Sequence, residues 1–383
     1  MSESRLSLLG GPFHRLGRSL GLVHGRSNTV PLGLAIAASL WVVLVALTLV
    51  EGLGHTVFAV DAIGAHVRLL LVIPLFFFCE KVLDPRLGTL IETTVRSGVV
   101  PLRSLPALQA EIARTRRWVD AWLPEFACLM LALAMLVAGP HLHLYGATSG
   151  LDPQRAAVQE TLTGGWYWGI CLTVLRFLML RWLWHLLLWG RFLWRFSRLD
   201  LHLVPTHPDR NGGLGYLQEV HVKFVPLVLA LGAIESASFA EEIAMGTLRF
   251  EALTTIIPFL MIVVAVLFLG PLLVFVPKLR EARTKGLEAY GDLAMHYVEA
   301  FDRKWVLGER DAQERLVGSA DVQSLADMQN SYQVVEDMRR SPVTPHLAMR
   351  LLGAVIVPML PLLLFKFSIG DLSQLLFKHF VAL

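Results

Sequence analysis

The sequence predicts an all-α fold: a polytopic helical membrane protein with about seven transmembrane helices plus a cytoplasmic helical segment. Three observations carry that expectation. Hydrophobic residues make up 55% of the 383 residues and charged residues only 17%, with a mean hydropathy of +0.57, whereas a water-soluble domain of this size needs a charged surface. Several apolar runs reach the roughly 20 residues that cross a bilayer. Basic residues gather in alternate connections between those runs, which is the signature of topology. In lipid every backbone polar group must bond internally, so such runs form helices.

Spanning helices are expected at about 30–53, 63–81, 119–139, 165–190, 219–243, 252–277 and 347–367. The apolar core of the second runs only from Val67 to Cys79, with Arg68 near one end, where its long side chain is expected to snorkel to the interface. The first run is too long for a signal core and lacks a small-residue cleavage site, so it reads as an uncleaved span. Arg5, Arg15, Arg18 and Arg26 precede it, Arg86 to Arg117 follow the second, Arg191 to Arg210 follow the fourth and Lys278 to Lys285 follow the sixth. The other connections hold little more than Arg155 and Arg249. This bias places the N-terminus and the 205–215 loop in the cytoplasm.

The expected organisation is a cytoplasmic tail (1–29), a six-helix region (30–277) with an amphipathic linker (84–118), a cytoplasmic helical segment (278–346), and a terminal helix with an amphipathic tail (347–383). Pro101 and Pro106 interrupt the linker. Gly308, Gly318 and Pro342 are expected to break the cytoplasmic segment, and Ser324 to Asp327 has the serine-to-acid spacing of a helix start. Pro358 and Pro361 leave a re-entrant ending open.

The net charge of +3 does not point to nucleic acid, because the basic residues serve topology rather than one soluble patch. Cys79, Cys128 and Cys171 lie in apolar runs without CxxC spacing and read as buried thiols. No cofactor is expected.

One polar loop stands between the fourth and fifth runs: Pro205, Thr206, His207, Pro208, Asp209, Arg210, Asn211, Gly212, Gly213, Leu214, Gly215. The prolines restrict the backbone around His207. Gly212, Gly213 and Gly215 permit close approach of a ligand to main-chain N–H groups ahead of a helix N-terminus, which suits an anion. Arg210 offers a bidentate contact to phosphate or carboxylate. His207 and Asp209 suit acid–base work, or metal ligation with His202 or His221. The alternative is a rigid turn in which Asp209 caps the next helix. The glycine spacing matches no nucleotide fingerprint.

Charged side chains inside the spans form a candidate polar path: Glu125, Arg176, Arg181, His185, Glu235 and Ser238. Arg176 and Glu235 lie at similar depth on consecutive antiparallel helices. Arg181 and His185 share a face at i, i+4, within reach of Glu125, while Glu235, Ser238 and Glu242 form one stripe. The alternative is a set of static salt bridges that fix helix register. Asp61 and Arg68 share a face from which His66 diverges, and His141 and His143 read as a solvated rim. Six tryptophans from Trp166 to Trp194 read as interfacial belts and packing.

The segment from His207 to Asn211 resembles the signature of J-domain co-chaperones over five residues, but membrane runs flank it here instead of soluble amphipathic helices. Taken with Gly318 to Asp327, the 207–215 motif is similar to an uncharacterised family of bacterial multi-pass membrane proteins. That similarity extends through Phe301-Asp302-Arg303-Lys304-Trp305 and the last apolar run, roughly the C-terminal half. It implies a bacterial inner membrane and carries over no functional residue.

The leading functional expectation is a transporter or channel-like protein for a small ion or solute, with the 205–215 loop as its cytoplasmic mouth. One alternative is a membrane-embedded enzyme or headgroup binder using that loop. Another is a membrane adaptor or sensor that recruits a cytosolic protein through 278–346. The expected partners are the bilayer, an anionic lipid or a small ion or solute, and that cytosolic protein; self-association to a homo-oligomer is compatible with all three.

Overall fold

A computed structural model describes residues 6–25, 27–57, 62–138, 161–309, 316 and 319–367. The fold is all-α, without a strand among the described residues. Among the described residues, six helices are long and apolar enough to cross a membrane, or seven if one bent pair counts as a span. Asp61, His141, His143, Gly318 and the 368–383 tail lie outside the described residues.

Helix α1 (Gly11–Ser19) precedes α2 (Val30–Val50). Helix α3 (Ile63–Arg96) runs fifteen residues beyond the expected span of 63–81. Its extension continues because Leu83, Leu87, Leu90, Ile91 and Thr94 recur at helical spacing and are buried. The linker after α3 turns at 97–104 and becomes α4 (Leu105–Asp120), which meets α5 (Trp122–Ala138) at a bend of 43°. Next come α6 (Leu162–Ser197), the short α7 (Tyr216–Val222) and α8 (Val225–Ala244). Helix α9 (Leu253–Leu269) passes through a 3₁₀ stretch into α10 (Val276–Phe301), so Phe250–Val306 is one helical run. The chain returns as α11 (Ala320–Glu336) and leaves through α12 (Pro345–Ile356), extended by a 3₁₀ stretch to Phe365.

Helix α8 is central, packed on α3 and α12; α2 lies along α3, and α4 and α5 pack on α6. One hydrophobic cluster joins these layers, from Leu32 and Phe76 through Trp189 and Phe224 to Val355. Burial on this scale, at about 25 cal/mol per Å² of apolar surface, holds the part of the bundle that water would reach; between lipid-bathed helices, packing and polar contacts carry more of the association.

Within the expected tail, Leu6 and Leu8 are buried, and α1 packs on α4 and α5. Two corrections emerge. Ser324 is not a helix start, since α11 begins at Ala320 with Ser319 before it. Arg68 does not snorkel, because it is buried among polar partners described below.

The basic connections lie together at one end of the bundle. His202 N–H donates to the Val99 carbonyl at 2.8 Å and Ser104 Oγ to the Asp200 carbonyl at 3.0 Å. Lys278 Nζ reaches the Leu199 carbonyl.

Candidate functional site

The polar residues predicted inside the spans separate into two clusters. Arg181 of α6 is 2% exposed. Its guanidinium donates to Glu80 of α3 through Nη1 and to Glu125 of α5 through Nε at 3.2 Å. The ring of Phe13 lies 5.3 Å from the guanidinium carbon, and Phe13 N–H donates to Glu125 Oε2 at 2.8 Å. Ser7 Oγ donates to Asp84, and Gly11 N–H to Asp120 at 3.4 Å. The segment before α1 and its first turn therefore cover a group of acids at the basic end. Leu8, Leu9, Glu80, Asp84, Trp182 and His185 line a small crevice there, with room for about one water molecule. His14, on α1, is buried nearby, and desolvation lowers its pKa from 6.5, opposed by the Glu80 charge.

The second cluster centres on Arg68, 8% exposed. It donates to both Glu241 oxygens at 2.8 and 2.9 Å, to Ser238 Oγ at 2.9 Å and to Tyr167 Oη at 2.7 Å. This fork geometry suits a planar guanidinium. Arg68 lies in a π-helical stretch of α3 (Val67–Val72), and Tyr167 opens another in α6 (Tyr167–Cys171). Such stretches are insertions in the helical ladder that often accompany functional sites. Glu235 feels the charges of Arg68 and Glu242.

Of the predicted path, then, Arg181, His185 and Glu125 come together in one cluster, and Ser238 and Glu235 join the other. Arg176 is half-buried on α6 between them. Along α3, twelve residues separate Arg68 from Glu80, about 18 Å of helix rise. The α3 residues between them, Leu69 to Cys79, are apolar throughout. Glu80, Tyr167 and the N-terminal segment were missed. Glu80 closes an apolar run like an interfacial acid, and the others meet their partners only through packing.

The 205–215 loop is organised by Asp209. Its Oδ1 accepts from the N–H groups of Asn211 at 2.8 Å and Gly213 at 3.1 Å, and its Oδ2 from Gly215 at 2.7 Å. His207 Nδ1 lies 2.8 Å from Asp209 Oδ1. Arg210 (φ +56°), Gly212 (+63°) and Gly213 (+96°) are left-handed, which curls the backbone around the carboxylate. The N–H groups expected to meet an external anion thus face the chain's own Asp209. The helix that follows, α7, is only seven residues long.

The outside of the loop is a socket. Arg339 N–H donates to the Arg210 carbonyl at 2.8 Å, and Arg210 Nη2 lies 3.6 Å from Asp337. Met338 and Val335 are buried, and Gly286 of α10 abuts Pro205 and Val335. Arg283 Nη2 donates to the Glu336 carbonyl at 2.9 Å. The loop joins the bundle to the base of the α10–α11 hairpin.

His221 is a core residue, accepting from Trp189 Nε1 at 3.4 Å with Nδ1 2.8 Å from the Leu217 carbonyl, while His202 is exposed. No group of three or more metal-ligating side chains occurs among the described residues. No protein-family model, curated protein or solved structure matches the chain.

Proposed function

We propose that this chain is a membrane adaptor: a rigid helical body that presents the α10–α11 hairpin to a cytosolic protein. The carrying observation is the helical run Phe250–Val306, 57 residues and about 85 Å long, whose distal half leaves the bundle and is gripped at its base by the 205–215 socket. Beyond the socket, Leu293, Met295, Val298 and Val322 are exposed on the hairpin. The positive-inside rule puts this basic end in the cytoplasm, and the resemblance of the C-terminal half favours a bacterial inner membrane. Leu293→Glu combined with Val298→Glu, tested by crosslinking and pull-down from membranes, is expected to remove the captured partner. An unchanged partner set would sink the adaptor reading.

A second reading, movement of a small cation, draws on the Arg181 cluster. Two buried carboxylates face one guanidinium, so one acid carries an excess charge that a proton or cation would neutralise. The apolar α3 residues between the two clusters count against a continuous path. Flux in liposomes that falls with Glu80→Gln or Glu235→Gln would support this reading, and normal folding without flux across a panel of ions would exclude it. A headgroup or catalytic site in the loop draws less support, because Asp209 occupies the N–H groups such a ligand needs.

A further inference from the structure

The end of α6 carries Arg191, Arg195 and Arg198, which share one face with Trp194 at the i, i+3, i+4 and i+7 positions. Like charges at this spacing repel one another. Yet none of the three arginines has a carboxylate within ion-pair distance among the described residues. Instead the guanidinium carbons of Arg195 and Arg198 lie 5.0 and 5.1 Å from the Trp194 ring centre, so one exposed indole holds two cations. The Arg195 Nε is buried without a hydrogen-bond acceptor. A triad of cations with no carboxylate beside it among the described residues is the arrangement expected of a site whose anion comes from outside the protein.

The same helix says which anion. Leu187 and Leu183 are exposed two and three turns above Trp194, on the side of α6 that leads to the indole. An apolar stripe that ends in tryptophan and then in arginines follows the profile of a phospholipid: acyl chain, interface, phosphate. A soluble anion would use the arginines and leave the leucine stripe without a role.

We propose that the end of α6 is a binding site for an anionic phospholipid, with Arg195 and Arg198 on the phosphate, Arg191 adding charge, Trp194 at the interface and an acyl chain along Leu187 and Leu183. This site is separate from the 205–215 loop, whose Arg210 is turned toward Asp337. It is also independent of the hairpin, so its failure leaves the adaptor reading untouched.

The test uses the full chain in nanodiscs that mix phosphatidylcholine with phosphatidylglycerol, with bound lipid quantified by mass spectrometry. The native chain is expected to enrich phosphatidylglycerol. Each of Arg195→Gln and Arg198→Gln is expected to lower that enrichment about fivefold, the effect of one basic residue at an anionic surface. Arg195→Lys should retain part of it, and Arg210→Gln should leave it unchanged. Leu187→Gln is expected to weaken enrichment with all three arginines intact. Equal occupancy by both lipids, or native enrichment in the Arg195→Gln/Arg198→Gln chain with an unchanged melting temperature, would overturn the proposal. Full displacement of lipid by inorganic phosphate, with no effect of Leu187→Gln, would reassign the site to a soluble anion and overturn it equally.

Discussion

The Arg68 and Arg181 clusters place the same problem, a guanidinium inside a bundle, in two different settings. Arg68 of α3 is gripped by side chains on the long helices α6 and α8, with one bidentate carboxylate and two hydroxyls. Arg181 faces two carboxylates, one of which is also held by a backbone N–H from the segment ahead of α1's second turn. The first is a rivet between spanning helices, nearly balanced in charge apart from Glu235. The second carries excess acid and depends on a non-spanning segment for its cover. Balanced clusters fix helix register, whereas an unbalanced cluster with a separable cover is where protonation and movement act.

The largest expected effect that tests this contrast is Arg181→Met. It leaves Glu80 and Glu125 buried without a counter-charge and should cost roughly 3–5 kcal/mol, read as thermal unfolding in detergent. Adding Glu80→Gln and Glu125→Gln should recover most of that loss; no recovery would mean that packing, not charge, holds the site. Arg68→Met should cost less, about 2 kcal/mol, because the Glu241 side chain is 21% exposed and can be hydrated. Equal losses at the two arginines would erase the difference between the clusters.

Gly11 tests the cover. It sits at φ +86° with Glu125 where a Cβ would go. Gly11→Ala should therefore cost about 1–2 kcal/mol in backbone strain alone and loosen the segment from Glu125. Limited proteolysis is expected to cut ahead of α1 sooner in this variant, and an unchanged pattern would show the cover to be held by Leu6 and Leu8 instead.

The smallest effect is the pH response of His14. Its folded pKa lies below 6.5, so just under pH 6.5 the unfolded chain binds more protons than the folded one. Stability should fall as pH drops from 6.5 toward the folded value and level off below it. His14→Gln should flatten that slope, measured as melting temperature against pH. A steeper slope in the variant would reverse the assignment.

How much was legible is clearest at particular residues. The spans at 30–53 and 219–243 match α2 and the Tyr216–Ala244 run of α7 and α8 closely, because twenty apolar residues have one low-energy state in lipid. The far end of α3 was not legible as part of the same helix, because its polar side chains alternate with buried ones and resemble an interfacial linker. Glu125 and Arg181 were foreseeable as neighbours from depth alone. Arg68 and Glu241 were not: 173 residues separate them, and either could face lipid, water or protein. In the loop, three glycines announced a turn, but nothing local says that Asp209 fills it.

The sequence by itself determined the fold class, the main spans and the gathering of basic residues on alternate connections, since these follow from hydropathy and charge averaged over many residues. Only the tertiary structure decided which acid each buried arginine meets, that the N-terminal segment covers one of the two clusters, and that the 205–215 loop closes on its own Asp209 while serving as a socket for the hairpin. Those outcomes depend on helix rotation and on contacts between residues a hundred or more positions apart. Rotating one helix by a few tens of degrees changes every such partner and leaves its hydropathy untouched.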